Sequence, residues 1–87
     1  MFGRRLNIKN FVHNLIEKYG TNSPFELCKK LNINILFVDL PDNVNGFFLN
    51  SQVKSSILIK KTLSPAQKEK VCAHELAHAL LHSRVNS

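Results

Sequence analysis

No stretch of this 87-residue chain is both long and apolar enough to cross a membrane, since a spanning helix takes ~20 such residues. The amino terminus, Met1-Phe2-Gly3-Arg4-Arg5, is not followed by an apolar segment, so no secretory leader is visible. Cysteine is scarce. Cys28 and Cys72 are the only two, which is too few for a disulfide framework and reads as a pair of buried free thiols in a reducing cytoplasm. Repeats, linkers and low-complexity stretches are also missing, and the length suits one small domain with a single core. Acidic residues are few: six against twelve lysines and arginines, for a net charge of +6. The basic residues fall in scattered pairs, Arg4-Arg5, Lys29-Lys30 and Lys60-Lys61. Without a recognition helix, zinc finger or RNA-binding signature beside them, they read as a solvated surface, and nucleic acid is not the expected partner.

What is present is concentrated near the carboxyl end. His74-Glu75-Leu76-Ala77-His78 is an H-E-x-x-H pentad inside a helical pattern. Residues four apart lie on one helical face, so both imidazoles can reach the same ion, and zinc accepts nitrogen ligands in tetrahedral geometry. Glu75 stands beside them as a general base toward an activated water. Counting about 100° per residue from His74, His78 falls at about 40° and Glu75 at about 100°. Ala73, Leu76, Ala77, Leu80 and Leu81 occupy the arc from about 200° to 340°, so the apolar stripe faces away from the ligands. Cys72, at about 160°, points away from the histidines and is a poor ligand.

His82 continues the spacing of four, but its Cα lies about 12 Å along the axis from that of His74. Both could meet one ion only in a nearly linear arrangement, which tetrahedral zinc rejects. His82 is therefore expected to line the site or to cap the last turn, where a cation suits the helix dipole. His13, on another helix, is expected to be a partly exposed polar residue.

The remaining pattern predicts an α+β chain. Asn7 to Tyr19 carries apolar residues at helical spacing and ends at Gly20. Ser23-Pro24-Phe25-Glu26 is a capping box opening a short helix through Leu31. Ile33 to Val38, Gly46 to Asn50 and Ser56 to Lys60 read as strands, with turn signals at Pro41-Asp42-Asn43 and Asn45-Gly46 and a polar turn at Ser51 to Lys54. Ser64-Pro65-Ala66-Gln67 repeats the capping logic and opens the last helix, which runs to about His82. The expected order is two helices, a small three-stranded sheet and the helix carrying the pentad.

Taken together, Glu26-Leu27, Leu31-Asn32-Ile33, Gly46-Phe47-Phe48, Ile57-Leu58-Ile59, Leu63-Ser64 and the nonapeptide His74 to His82 resemble the ImmA/IrrE family of metallo-endopeptidases. The resemblance spans essentially the whole chain. It implies a zincin-like fold over residues 1–87, with Zn2+ bound by His74 and His78 and Glu75 as catalytic base. His82 matches a histidine frequent in the family that has no fixed ligand role. It also implies a cytoplasmic enzyme whose protein substrate is a helix-turn-helix repressor of a phage or mobile element; it leaves the oligomeric state open. The family's third ligand, usually acidic, lies on a helix well after the pentad, and this chain stops at Ser87. Within it, Glu69, Asp39 and Asp42 are poor substitutes. The expectation is therefore a domain without the third-ligand helix, either an N-terminal part of a longer protease or a short version with reduced or no catalysis. A non-catalytic module that keeps the scaffold and binds a partner protein is the alternative. If substrate is held as an added strand, motif order suggests Ser56 to Lys60 as the edge that receives it.

Overall fold

A computed structural model describes residues 8–21 and 23–85, with the side chains at 8, 9, 11, 12 and 82–85 outside that description. The elements follow in the order α1 (Ile8–Tyr19), α2 (Pro24–Lys30), β1 (Asn34–Val38), β2 (Gly46–Leu49), β3 (Ser56–Lys60) and α3 (Pro65–Val85). This is the α+β arrangement that the periodicity predicts; α3 runs three residues beyond the expected His82. Asn7, the expected first residue of α1, lies outside the described residues.

Local chemistry explains where the helices begin and end. Gly20, at φ +71°, lets the chain leave α1 while its N–H still bonds the Ile16 carbonyl at 2.9 Å. At the start of α2 the expected capping box is only half formed. The Glu26 N–H donates to Ser23 Oγ at 3.4 Å, but the Ser23 N–H donates to Thr21 Oγ1 at 3.1 Å, and that hydroxyl donates to Glu26 at 3.1 Å. Thr21 thus relays the return bond. α2 closes in a Schellman turn: the Ile33 N–H reaches the Cys28 carbonyl at 2.8 Å while Asn32 takes the left-handed conformation at φ 62°. α3 has the complete reciprocal box, with Ser64 N–H to Gln67 Oε1 at 3.1 Å and Gln67 N–H to Ser64 Oγ at 3.2 Å.

The sheet order is β1-β3-β2, with β1 parallel and β2 antiparallel to β3. β3 is the central strand, and its Ile57 and Ile59 are fully buried. The expectation that β3 receives a substrate strand therefore fails: both its edges are already engaged, and the open edges belong to β1 and β2. The helices cover one face of the sheet. Their core joins Leu27 and Cys28 of α2, Ile57 and Ile59 of β3, and Cys72 and Leu76 of α3, with Leu15, Ile16 and Tyr19 of α1 packed against it. Cys28 and Cys72 are free, fully buried thiols with their sulfurs 3.7 Å apart. The hydrogen bond with Cys28, reinforced by burial, pushes the Cys72 thiol well above the ordinary range. Among the described residues, no helix is long and apolar enough to cross a membrane.

Candidate metal centre

α3 turns one face into the core and the opposite face to solvent. Cys72, Leu76, Ala77 and Ala79 are buried, whereas His74 is exposed and Glu75 and His78 are half-buried. The buried arc is centred closer to Cys72 and Ala79 than the apolar count suggests, because small residues pack there against neighbouring elements. His74 and His78 still lie opposite it.

The two imidazoles converge. Their Nε2 atoms are 3.0 Å apart and their rings meet edge to face, with centroids 4.5 Å apart. Two nitrogens each 2.0–2.1 Å from one tetrahedral ion would stand about 3.3 Å apart, so the pair has the bite of a two-nitrogen metal chelate. Glu75, next in sequence to His74, is half-buried beside it. Burial pushes its carboxyl above the usual range, against the opposing influence of His74 and His78.

A cleft of about 290 Å3 is lined by Asn45, Gly46, Lys70, Val71, His74 and Glu75. Its far wall is the start of β2, the sheet edge nearest the histidines. The Lys60 N–H bonds the Asn45 carbonyl at 2.8 Å. By the alternation of an antiparallel ladder, Phe47 and Leu49 turn their backbone groups toward β3. Gly46 and Phe48 turn theirs outward, beside the cleft.

Gly46 is the residue that sequence reasoning undervalued. The Asn45-Gly46 pair signals a turn, and nothing in the pattern shows what crosses over it. A Cβ there would lie 2.6 Å from Val71 Cγ1, 2.8 Å from the Leu58 carbonyl oxygen and 3.7 Å from Glu75 Cγ. Glycine is what lets α3 lie against β2 and holds Glu75 beside the edge. Gly46→Ala should destabilise the protein by about 1–3 kcal/mol, the usual range for overpacking a tight contact. Thermal melts of the variant check this, and an unchanged melting temperature would mean that Val71 and the backbone yield freely.

Other candidates stay apart. Among the described residues, no group of three or more His, Cys, Asp or Glu side chains is placed to hold a metal. Asp39 pairs with Lys61 at 3.5 Å, and the backbone carbonyl of Asp42 accepts from Lys60 at 3.0 Å. Glu69 is exposed and Cys72 faces Cys28. His13 is exposed and pairs with Glu17 at 3.4 Å. His82 belongs to α3, but its side chain lies outside the described residues.

Comparison with known proteins converges on the same segment. Residues 28–87 match the family of the IrrE N-terminal-like domain, a peptidase family. The chain is 40% identical over 80 residues to immunity region protein 2 of Bacillus phage phi105, covering 92% of this chain and 51% of that protein. It is 35% identical over 80 residues to the metallopeptidase ImmA of Bacillus subtilis (strain 168), covering 92% of this chain and 47% of that protein. The chain thus spans about half the length of the curated relatives it matches. No solved structure matches it significantly. The match over the pentad helix and the sheet before it, together with these two relatives, places the chain in the ImmA/IrrE family of metallopeptidases.

Proposed function

We propose that the chain is the zinc-binding, catalytic part of a cytoplasmic metallo-endopeptidase that cleaves a helix-turn-helix repressor of a phage or mobile element. The observation that carries this reading is the convergence of His74 and His78 at 3.0 Å, with Glu75 beside His74 in the cleft along β2. Two imidazole nitrogens are a fitting donor set for zinc, and their spacing fits its tetrahedral bite. When bound, zinc supplies Lewis acidity toward a carbonyl and makes water a nucleophile near neutral pH.

The chain's own residues supply the rest. Glu75 takes the proton from the attacking water and returns it to the departing amine. Its partial burial suits that role, because a carboxyl held above its ordinary range retains a proton more readily between the two transfers. The β2 edge offers the outward N–H and C=O groups of Gly46 and Phe48 to an extended peptide, which would hold a scissile bond alongside the histidines. β2 replaces β3 in this role. The relatives' names, a metallopeptidase and a phage immunity-region protein, support the repressor as substrate class.

A catalytic zinc normally takes three protein ligands, and only two converge among the described residues. That observation favours the second reading, a partner-binding module that retains the scaffold. We propose instead that residues 1–87 form one zincin-like unit completed by an acidic ligand from a following helix.

One experiment separates the two readings: zinc affinity and repressor cleavage, measured for this chain and for a version extended through the next helices. The peptidase reading expects zinc bound by both, loosely by the short form, and cleavage by the extended form. Zinc binding without cleavage in both would leave the binding module. No zinc in either would end the peptidase reading and likewise leave the binding module.

A further inference from the structure

Among the described residues the sheet has a second open edge, on β1, remote from the histidines. The Asn34 N–H bonds the Ser55 carbonyl at 3.0 Å and the Lys61 N–H bonds the Val38 carbonyl at 2.9 Å. These bonds set the phase of the parallel ladder: Asn34, Leu36 and Val38 turn their backbone groups toward β3. The N–H and C=O groups of Ile35 and Phe37 therefore face outward. Sheet edges are ordinarily blunted by a lysine or proline in the strand, or by a bulge. Asn34-Ile35-Leu36-Phe37-Val38 has no lysine or proline, and its register with β3 is unbroken.

The surroundings of this edge are built from aromatic and basic groups. Phe37 is 46% exposed, as is Leu36 on the opposite face of the strand. The Phe37 ring meets Phe25 of α2 edge-on at 6.1 Å, and Lys68 Nζ stands 5.1 Å from its centroid. At the other end of β1 a cleft of about 280 Å3 is lined by Phe25, Lys29, Asn34, Ile35 and Lys54, among others, and no acidic residue lines it. None of Lys29, Lys54 and Lys68 takes part in the ion pairs found among the described residues.

We propose that the β1 edge is a docking strand for an extended segment of a partner protein in which acidic and apolar side chains alternate. Ile35 and Phe37 supply the backbone pairing. On the helix-covered side, the ligand's acidic side chains lay their stems over Phe25 and Phe37 and bring carboxylates to Lys29 and Lys54 at one end and Lys68 at the other. On the opposite face, its apolar side chains cover Leu36. The period of two in the added strand demands this alternation, and the chain's net charge of +6 favours an acidic partner over a second copy of itself. The proposal is independent of metal binding and catalysis.

The test uses the 87-residue chain and a fluorescein-labelled octapeptide of glutamate alternating with valine or leucine. Binding is followed by fluorescence anisotropy and by amide hydrogen exchange. Bound peptide should slow exchange of the Ile35 and Phe37 amides by at least about tenfold, because open edge amides become hydrogen-bonded. Leu36, Val38, and the β2-edge amides Gly46 and Phe48 should not change. Combined Lys29→Glu and Lys54→Glu should weaken binding by at least about tenfold, since like charges then face the ligand. A peptide N-methylated at alternate residues, or one with lysine in place of glutamate, should not bind, which keeps the test decisive even if the protein variant misfolds.

Equal binding of the lysine peptide, protection confined to Gly46 and Phe48, or no binding at all would overturn the proposal. So would an eight-residue oligothymidylate that competes and binds more tightly without protecting Ile35 and Phe37; that result would make the basic cluster a nucleic-acid site.

Discussion

His74→Ala and His78→Ala should each weaken zinc binding by at least about a hundredfold, while His82→Ala changes it by less than about tenfold. On the proposed reading the two Nε2 atoms, 3.0 Å apart, would hold the ion as one chelate, and removing either leaves a single imidazole with no preorganised partner. Nothing nearby replaces the lost nitrogen, because no third candidate ligand joins the pair among the described residues. Neither substitution should disturb the fold: the first side chain is exposed, the second half-buried, and the core of α3 lies on the other face. Competition with a chromophoric chelator gives the affinities, and circular dichroism verifies folding. If all three variants lose zinc equally, the reach argument is wrong and His82 is a ligand.

The contrast among these histidines shows how far sequence carries the structure. Helix identity was legible because apolar residues recur at helical spacing and because Ser23 and Ser64 announce their helices by local hydrogen bonding. The pentad's shared face followed from helical geometry alone. Strand order did not. β3 is central because tertiary packing selects its Ile57 and Ile59 for the core, and no local signal says which of three short strands will be paired on both sides. The purpose of Gly46 was hidden for the same reason. A glycine in sequence marks a turn equally well whether or not a helix comes to lie against it. The approach of Cys28 to Cys72 joins residues far apart in the chain, and the angular count could show only that Cys72 avoids the histidines. Asn32 is a further case: its side chain tolerates the left-handed conformation that closes α2, yet the residue carries no distinct stop signal of the kind Gly20 gives α1.

One consequence of that packing is that the two open edges have different surroundings. β2 is drawn against α3 by the absence of a side chain at Gly46, so its edge shares a cleft with His74 and Glu75. β1 lies across β3 from it, beside α2, with aromatic and basic neighbours of its own. A partner held at β1 would leave the β2 edge free. Recognition of a protein and presentation of its scissile segment could then be served by different strands of one small sheet.

Glu75→Gln should abolish peptide hydrolysis, lowering kcat by at least about 10²–10⁴, while zinc stays bound. Glutamine has the size and hydrogen-bonding shape of glutamate but cannot take a proton from water at neutral pH. The same substitution has a second signature in the metal-free chain, where no chemistry is involved. Burial raises the folded-state pKa of Glu75 above its ordinary 4.5. A group raised in this way favours the fold most below the unfolded pKa, and that contribution is lost as pH rises through the folded value. The ionised carboxylate is therefore a liability at pH 7, and the glutamine variant, which has no charge to desolvate, should melt higher there. At about pH 3, where glutamate is protonated in both states, the two proteins should melt together. Melting curves across that range, run beside a cleavage assay in an active, extended form, read both effects. Parent-like cleavage by the variant would remove Glu75 as the base. Loss of zinc in the variant would make Glu75 itself a ligand. A melting difference that is largest in acid would show that its carboxyl is not held above the ordinary range at all.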